Sequence, residues 1–117
     1  MTNRRQLSRA DVRQLAIRAQ HLDRGQPPPL LDLIQEMGCV QLDPISAVER
    51  SHMLVLWSRG AARQGAKLDR ALDKLRWTEK SLFEYWAHAA SIVTTHDYPV
   101  HAWHMAQTRN NNARWEA

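Results

Sequence analysis

The chain has 117 residues, 44% of them hydrophobic, with 16 Lys and Arg against 12 Asp and Glu and a single cysteine. That length carries one core-bearing domain and is short for two, and the near-average apolar and charged fractions exclude a disordered tail or a fibrous repeat. The lone Cys39 excludes an internal disulfide scaffold and fits a reducing cytoplasm, and the longest apolar run, Met53 to Trp57, falls far short of the roughly 20 residues that cross a bilayer, so a soluble, unexported protein with no membrane partner is expected.

Taken in order, the first 25 residues hold six Arg and two Asp. Ser8 and Asp11 stand at capping-box spacing, and Val12, Leu15, Ala16, Ala19 and Leu22 form one apolar stripe, which predicts a first helix ended by Gly25 and the prolines 27 to 29. A short second helix is predicted over Leu30 to Met37, with Gly38 as its left-handed cap. From Cys39 to Asp43 the pattern alternates, with Gln41 and Asp43 on one side and Val40 and Leu42 on the other, until Pro44 interrupts it. Helix periodicity returns from Ala47, with Val48, His52, Val55 and Leu56 on one face, and closes at Gly60. His52 reads as a hydrogen-bonded core histidine. Residues 59 to 80 carry seven basic and three acidic side chains, and within them Leu68, Ala71, Leu72 and Leu75 predict another helix. The β-branched and aromatic run Leu82 to Val93 predicts one or two strands, and a last helix begins at Asp97, with Val100, Trp103, Met105 and Ala106 on its apolar side. Several short helices with a small β element give a mostly α fold of the winged helix-turn-helix kind.

Three segments, LSRADVRQLAIRAQHL (Leu7 to Leu22), MGCVQLDPISAVERSHMLVLWSR (Met37 to Arg59) and LFEYWAHAASIV (Leu82 to Val93), resemble in order and spacing the N-terminal region of the AlkZ/YcaQ-like winged-helix DNA glycosylases. The resemblance implies a crosslink-repair DNA glycosylase that releases alkylated purines, with alkylated double-stranded DNA as partner, no cofactor and no metal. Family members are roughly three times longer, beyond one domain's worth of chain. Residues 1 to 117 are therefore expected to be a single winged-helix domain resembling the first of three in tandem, associated with the nucleoid and open to self-association through surfaces that further domains would cover. A non-catalytic DNA-binding or interaction module is the alternative.

The family's signature of Gln, an apolar residue, then Asp or Gln reads here Gln41, Leu42, Asp43. An N7- or N3-alkylated purine is already a cationic leaving group, so the demand falls on the sugar side: a carboxylate to accept the proton of attacking water and stabilise charge at C1′, and an amide to orient that water. The resemblance makes Asp43 the base and Gln41 the positioning partner, with no Schiff base and no implied base flipping. On the residues alone, Gln41 as a helix cap and Asp43 as the opener of an Asp-Pro turn stays open. An extended FEYWAHAAS would set Glu84, Trp86 and His88 on one face, with Trp86 in the core. Glu84 and His88 are then either a structural pair or supports of the active site. Arg4, Arg5, Arg9 and Arg13 offer one phosphate-binding surface, and Arg59, Arg63 and Lys67 a second; helical ion pairs such as Asp69 with Lys74 are the plainer reading of the same charges. His96, His101 and His104 lie close in sequence, but no second Cys, no H-E-x-x-H arrangement and no acidic cluster joins them, so no metal is expected.

Overall fold

Ser8 opens the first regular element as its spacing predicts. In the computed structural model, which describes residues 6–23, 25–45, 48–60 and 67–113, the Ser8 hydroxyl accepts the Asp11 N–H at 3.2 Å and Asp11 Oδ2 accepts the Ser8 N–H at 2.9 Å. This reciprocal capping box starts helix α1, Arg9–Ala19. The Ser8 side chain, then its backbone N–H, hold the Asp11 carboxyl below the ordinary value of 3.8. The apolar stripe of α1 does not reach the core. No residue of the helix is buried, and Val12, Leu15 and the following Leu22 all stand about half exposed. Periodicity marks an apolar face without saying what covers it. The chain just beyond α1 is tied down by His21 Nε2 to Glu36 at 2.9 Å and by Arg59 Nη2 donating to Gln20 Oε1 at 3.4 Å.

The prolines fix an extended entry to helix α2, Leu30–Met37, which buries Leu30, Leu33 and Ile34 at helical spacing. Gly38 then turns the chain at φ 80°, a conformation only glycine adopts cheaply. Strand β1, Val40–Gln41, follows, and then helix α3, Ser51–Ser58. The predicted face of α3 holds for His52 and Leu56, which are buried together with Met53, but Val48 precedes the helix and is 93% exposed. Helix α4, Leu68–Asp73, buries Leu68 and Leu72 and widens into a π-helical turn over Lys74–Thr78, in which the Glu79 N–H donates to the Lys74 carbonyl. Lys74 pairs with Glu79 at 2.8 Å, not with Asp69, and that carboxylate raises the lysine's pKa above its ordinary value.

The predicted β run resolves into a hairpin: strand β2, Leu82–Trp86, and strand β3, Ala90–Thr94, joined by a turn in which the Ala87 N–H donates to the Ala89 carbonyl. The antiparallel sheet has the order β1-β3-β2. A 3-10 turn, Thr95–Asp97, is held by Thr94 Oγ1 donating to Asp97 Oδ2 and leads into helix α5, Tyr98–Ala113, so the last helix begins one residue after Asp97.

The main core draws on α2, β1, α3, α4, β2 and β3. Among the described residues, neither α1 nor α5 adds one to it. Val100 and Trp103, predicted for the apolar side of α5, are 64% and 62% exposed. The Cα radius of gyration, 18.0 Å, accordingly exceeds the roughly 13 Å of a compact chain of this length. Five helices, three of them in the core, and a sheet ordered β1-β3-β2 among the described residues give the mostly α, winged-helix-like fold that the sequence predicts. Among the described residues no helix is long and apolar enough to cross a membrane.

Candidate functional site

Antiparallel partners share a face of a sheet, and the register sorts the candidate residues accordingly. Gln41 lies opposite Ser91, and Ser91 opposite Tyr85, so these three form a row on one face. Val40, Ile92 and Glu84 form the neighbouring row on the other face, where Val40 and Ile92 belong to the core. With strands spaced about 4.8 Å apart, Tyr85 stands roughly 10 Å from Gln41 across Ser91. Ser91 is fully buried and donates to the Ala89 carbonyl at 2.9 Å, which leaves the row with exposed Gln41 at one end and half-buried Tyr85 at the other.

The ladder runs one residue past β1. The Leu42 N–H donates to the Ala90 carbonyl at 2.7 Å, and Gln41 and Asp43 flank that paired residue. Asp43 is half-buried, and its Oδ1 accepts the Ile45 N–H at 2.9 Å. This Asx turn fixes the carboxylate where the chain leaves the sheet. Gln41 caps no helix; it is a strand residue.

Glu84 and His88 are not a buried pair. Glu84 is on the face opposite Gln41, about half exposed, and forms an ion pair with Arg76. His88 sits exposed in the hairpin turn, because the chain reverses at Ala87 to Ala89 and cannot continue the alternation that would bring it beside Glu84. Trp86 is likewise 72% exposed, not core. Two residues of α5, Tyr98 and His101, meet the Gln41 face instead. His101 of α5 stacks on Tyr85 with ring centroids 4.7 Å apart, and Phe83 meets both Tyr98 and His101 edge-on at 5.9 Å. Alternation along β2 carried the signal for Phe83 and Tyr85, whereas nothing local in the sequence places His101 above them.

His52 is buried, and its Nδ1 finds no hydrogen-bond partner among the described residues, in contrast to the hydrogen-bonded histidine expected. Burial first, then the positive charge of Arg50, lowers its pKa below 6.5. Among the described residues no group of three or more His, Cys, Asp or Glu side chains comes together.

The basic candidates separate by surroundings. Arg9 and Arg13 are exposed on α1, and Lys67 is exposed at the start of α4. Arg59 turns inward, donating through Nη1 to the Val55 carbonyl and Ser58 Oγ and through Nη2 to Gln20. Arg4, Arg5 and Arg63 lie outside the described residues.

No solved structure matches the chain. The family model for DNA glycosylase AlkZ-like proteins matches residues 34–117, a span holding β1, the hairpin, Gln41 and Asp43. With well over half of its length matched, the chain belongs to the AlkZ-like DNA glycosylase family, whose function is of the DNA-repair glycosylase type and whose partner is DNA.

Proposed function

We propose that the protein hydrolyses the N-glycosidic bond of alkylated purines in double-stranded DNA, including those of interstrand crosslinks, with Asp43 as base and electrostatic stabiliser and Gln41 as the residue that orients water. The observation carrying this reading is the Gln41-Leu42-Asp43 stretch, which leaves β1 hydrogen-bonded through Leu42 to β3 and is anchored at Asp43 by the Asx turn. An amide and a carboxylate two residues apart on such a stretch lie on one side, about 7 Å from each other along the strand, leaving space for a water and a sugar edge. The carboxylate then takes the water's proton while its charge opposes the positive charge that grows at C1′ as the cationic purine departs. Arg9, Arg13 and Lys67, with Arg4, Arg5 and Arg63, supply backbone contacts that position the duplex without reading its sequence.

The same Asx turn also favours a second reading, a DNA-binding module without catalysis, because a turn-forming aspartate needs no other purpose. Incubation with a duplex holding one N7-methylguanine separates the two. Hydrolysis by activated water yields free 7-methylguanine and an intact strand that breaks at the abasic site only on alkaline treatment, with no adduct trapped by borohydride. Binding without any free base, from this chain and from any longer product of the same reading frame, leaves the non-catalytic reading standing.

A further inference from the structure

On the far side of the sheet from β1, a cavity of about 500 Å³ opens between the π-helical turn, the outer edge of β2 and the start of α5. Its lining includes Arg76, Trp77, Lys80, Phe83, Glu84 and Tyr98. Trp77 is 68% exposed, a large apolar surface that the core leaves unused. One side of its indole is engaged by the Arg76 guanidinium, 4.9 Å from the ring centroid, and Arg76 is itself held by Glu84.

Two backbone irregularities meet here. The helix preceding the cavity is π-wound over Lys74–Thr78, and Lys80 holds φ 55° in the left-handed region, with its carbonyl accepting the Thr95 hydroxyl at 2.7 Å. Each costs stability, and both set the residues of this one cavity.

We infer that this cavity is a binding site for one unstacked base of DNA, which stacks on Trp77 while Lys80 faces its phosphate. The inference rests on the DNA-glycosylase reading for the identity of the polymer, but not on the chemistry at Asp43. Three features select this occupant. The aromatic walls of Trp77, Phe83 and Tyr98 suit a flat ring, the Lys80 ammonium suits the phosphate attached to it, and the Arg76 guanidinium, held by Glu84 over one side of the indole, leaves Trp77 largely exposed for stacking. The volume lies within the range of sites that enclose a small planar ligand. Because β2 and β1 are the two outer strands, the site stands apart from Gln41, where it would hold a base displaced beside a lesion and not the reacting sugar.

The test compares a 15-base-pair duplex carrying one extrahelical 2-aminopurine with the fully paired duplex of the same sequence, using the 117-residue chain. The bulged duplex is expected to bind about tenfold more tightly, the gain of one stacked base, with its 2-aminopurine fluorescence quenched. Trp77→Ala should abolish both the preference and the quenching while leaving affinity for the paired duplex unchanged, and Trp77→Phe should retain most of each. Equal affinity for the two duplexes overturns the proposed site alone and leaves the glycosylase reading intact. So does a preference that survives Trp77→Ala, or tight duplex binding without quenching, as expected if a protein segment covers the groove. If neither duplex binds, the site and the DNA reading of this chain are overturned together.

Discussion

Asp43 and His52 show how differently two titratable residues are read from sequence. The Gln41, Leu42 and Asp43 run is visible as letters, and its strand geometry follows from the alternation that Pro44 ends. That Gln41 shares a face with Tyr85 depends on the register of three strands, which no local pattern contains. His52 lies on a helical stripe, so its burial was legible, but its orphaned Nδ1 depends on side chains from elsewhere in the fold. The consequence is a pH dependence of known sign. Burial and Arg50 lower the folded-state pKa below 6.5, so as pH falls through 6.5 the unfolded chain takes up a proton that the folded chain resists. Stability therefore falls as pH drops through 6.5 towards the lowered folded value and levels off below it. Urea unfolding of wild type and His52→Leu at about pH 7.5 and pH 5.5 checks this. The wild type should lose more stability between the two than the variant, and an equal loss contradicts the assignment.

At the scale of elements, termini were legible where a side chain or glycine dictates them: the Ser8 and Asp11 box, the prolines before α2, Gly38 after it. Partnering was not. The stripes on α1 and α5 have the same periodicity as those on α2 and α4, yet only the latter two reach the core, because the helical period is set by neighbours in sequence and burial by what another element brings. The hairpin reversal at Ala87 to Ala89 was hidden for a related reason. Small residues in an alternating run permit a turn without requiring one, and the position of His88 changes with it. The difference in burial predicts a difference in cost. Leu56→Ala, at a fully buried position of α3, should destabilise the protein by about 2–5 kcal/mol, whereas Leu15→Ala on α1 should shift stability by less than about 1 kcal/mol. Denaturant titration of the two variants measures this directly; comparable losses would mean that α1 is packed on the core in solution.

For the whole molecule, the positive charge lies in two blocks, the first near α1 and the second from Arg59 to Lys80. Duplex binding should weaken steeply with salt, and replacing both exposed Lys67 and Arg70 with Gln should reduce the log-log slope by about 0.9 for each phosphate no longer neutralised. An unchanged slope would move the DNA from α4. Bond cleavage at Gln41 and Asp43 is tested by the single-turnover rate of 7-methylguanine release by wild type and Asp43→Asn, each with its duplex affinity determined alongside. The substitution removes the base and the stabilising charge but keeps the size of the side chain, so the rate should fall by about 100-fold to 10,000-fold, with affinity unchanged or tighter. Gln41→Ala should cost less, since water partly reorients. Equal rates of base release from wild type and Asp43→Asn would contradict the account and leave Asp43 as the residue of a turn.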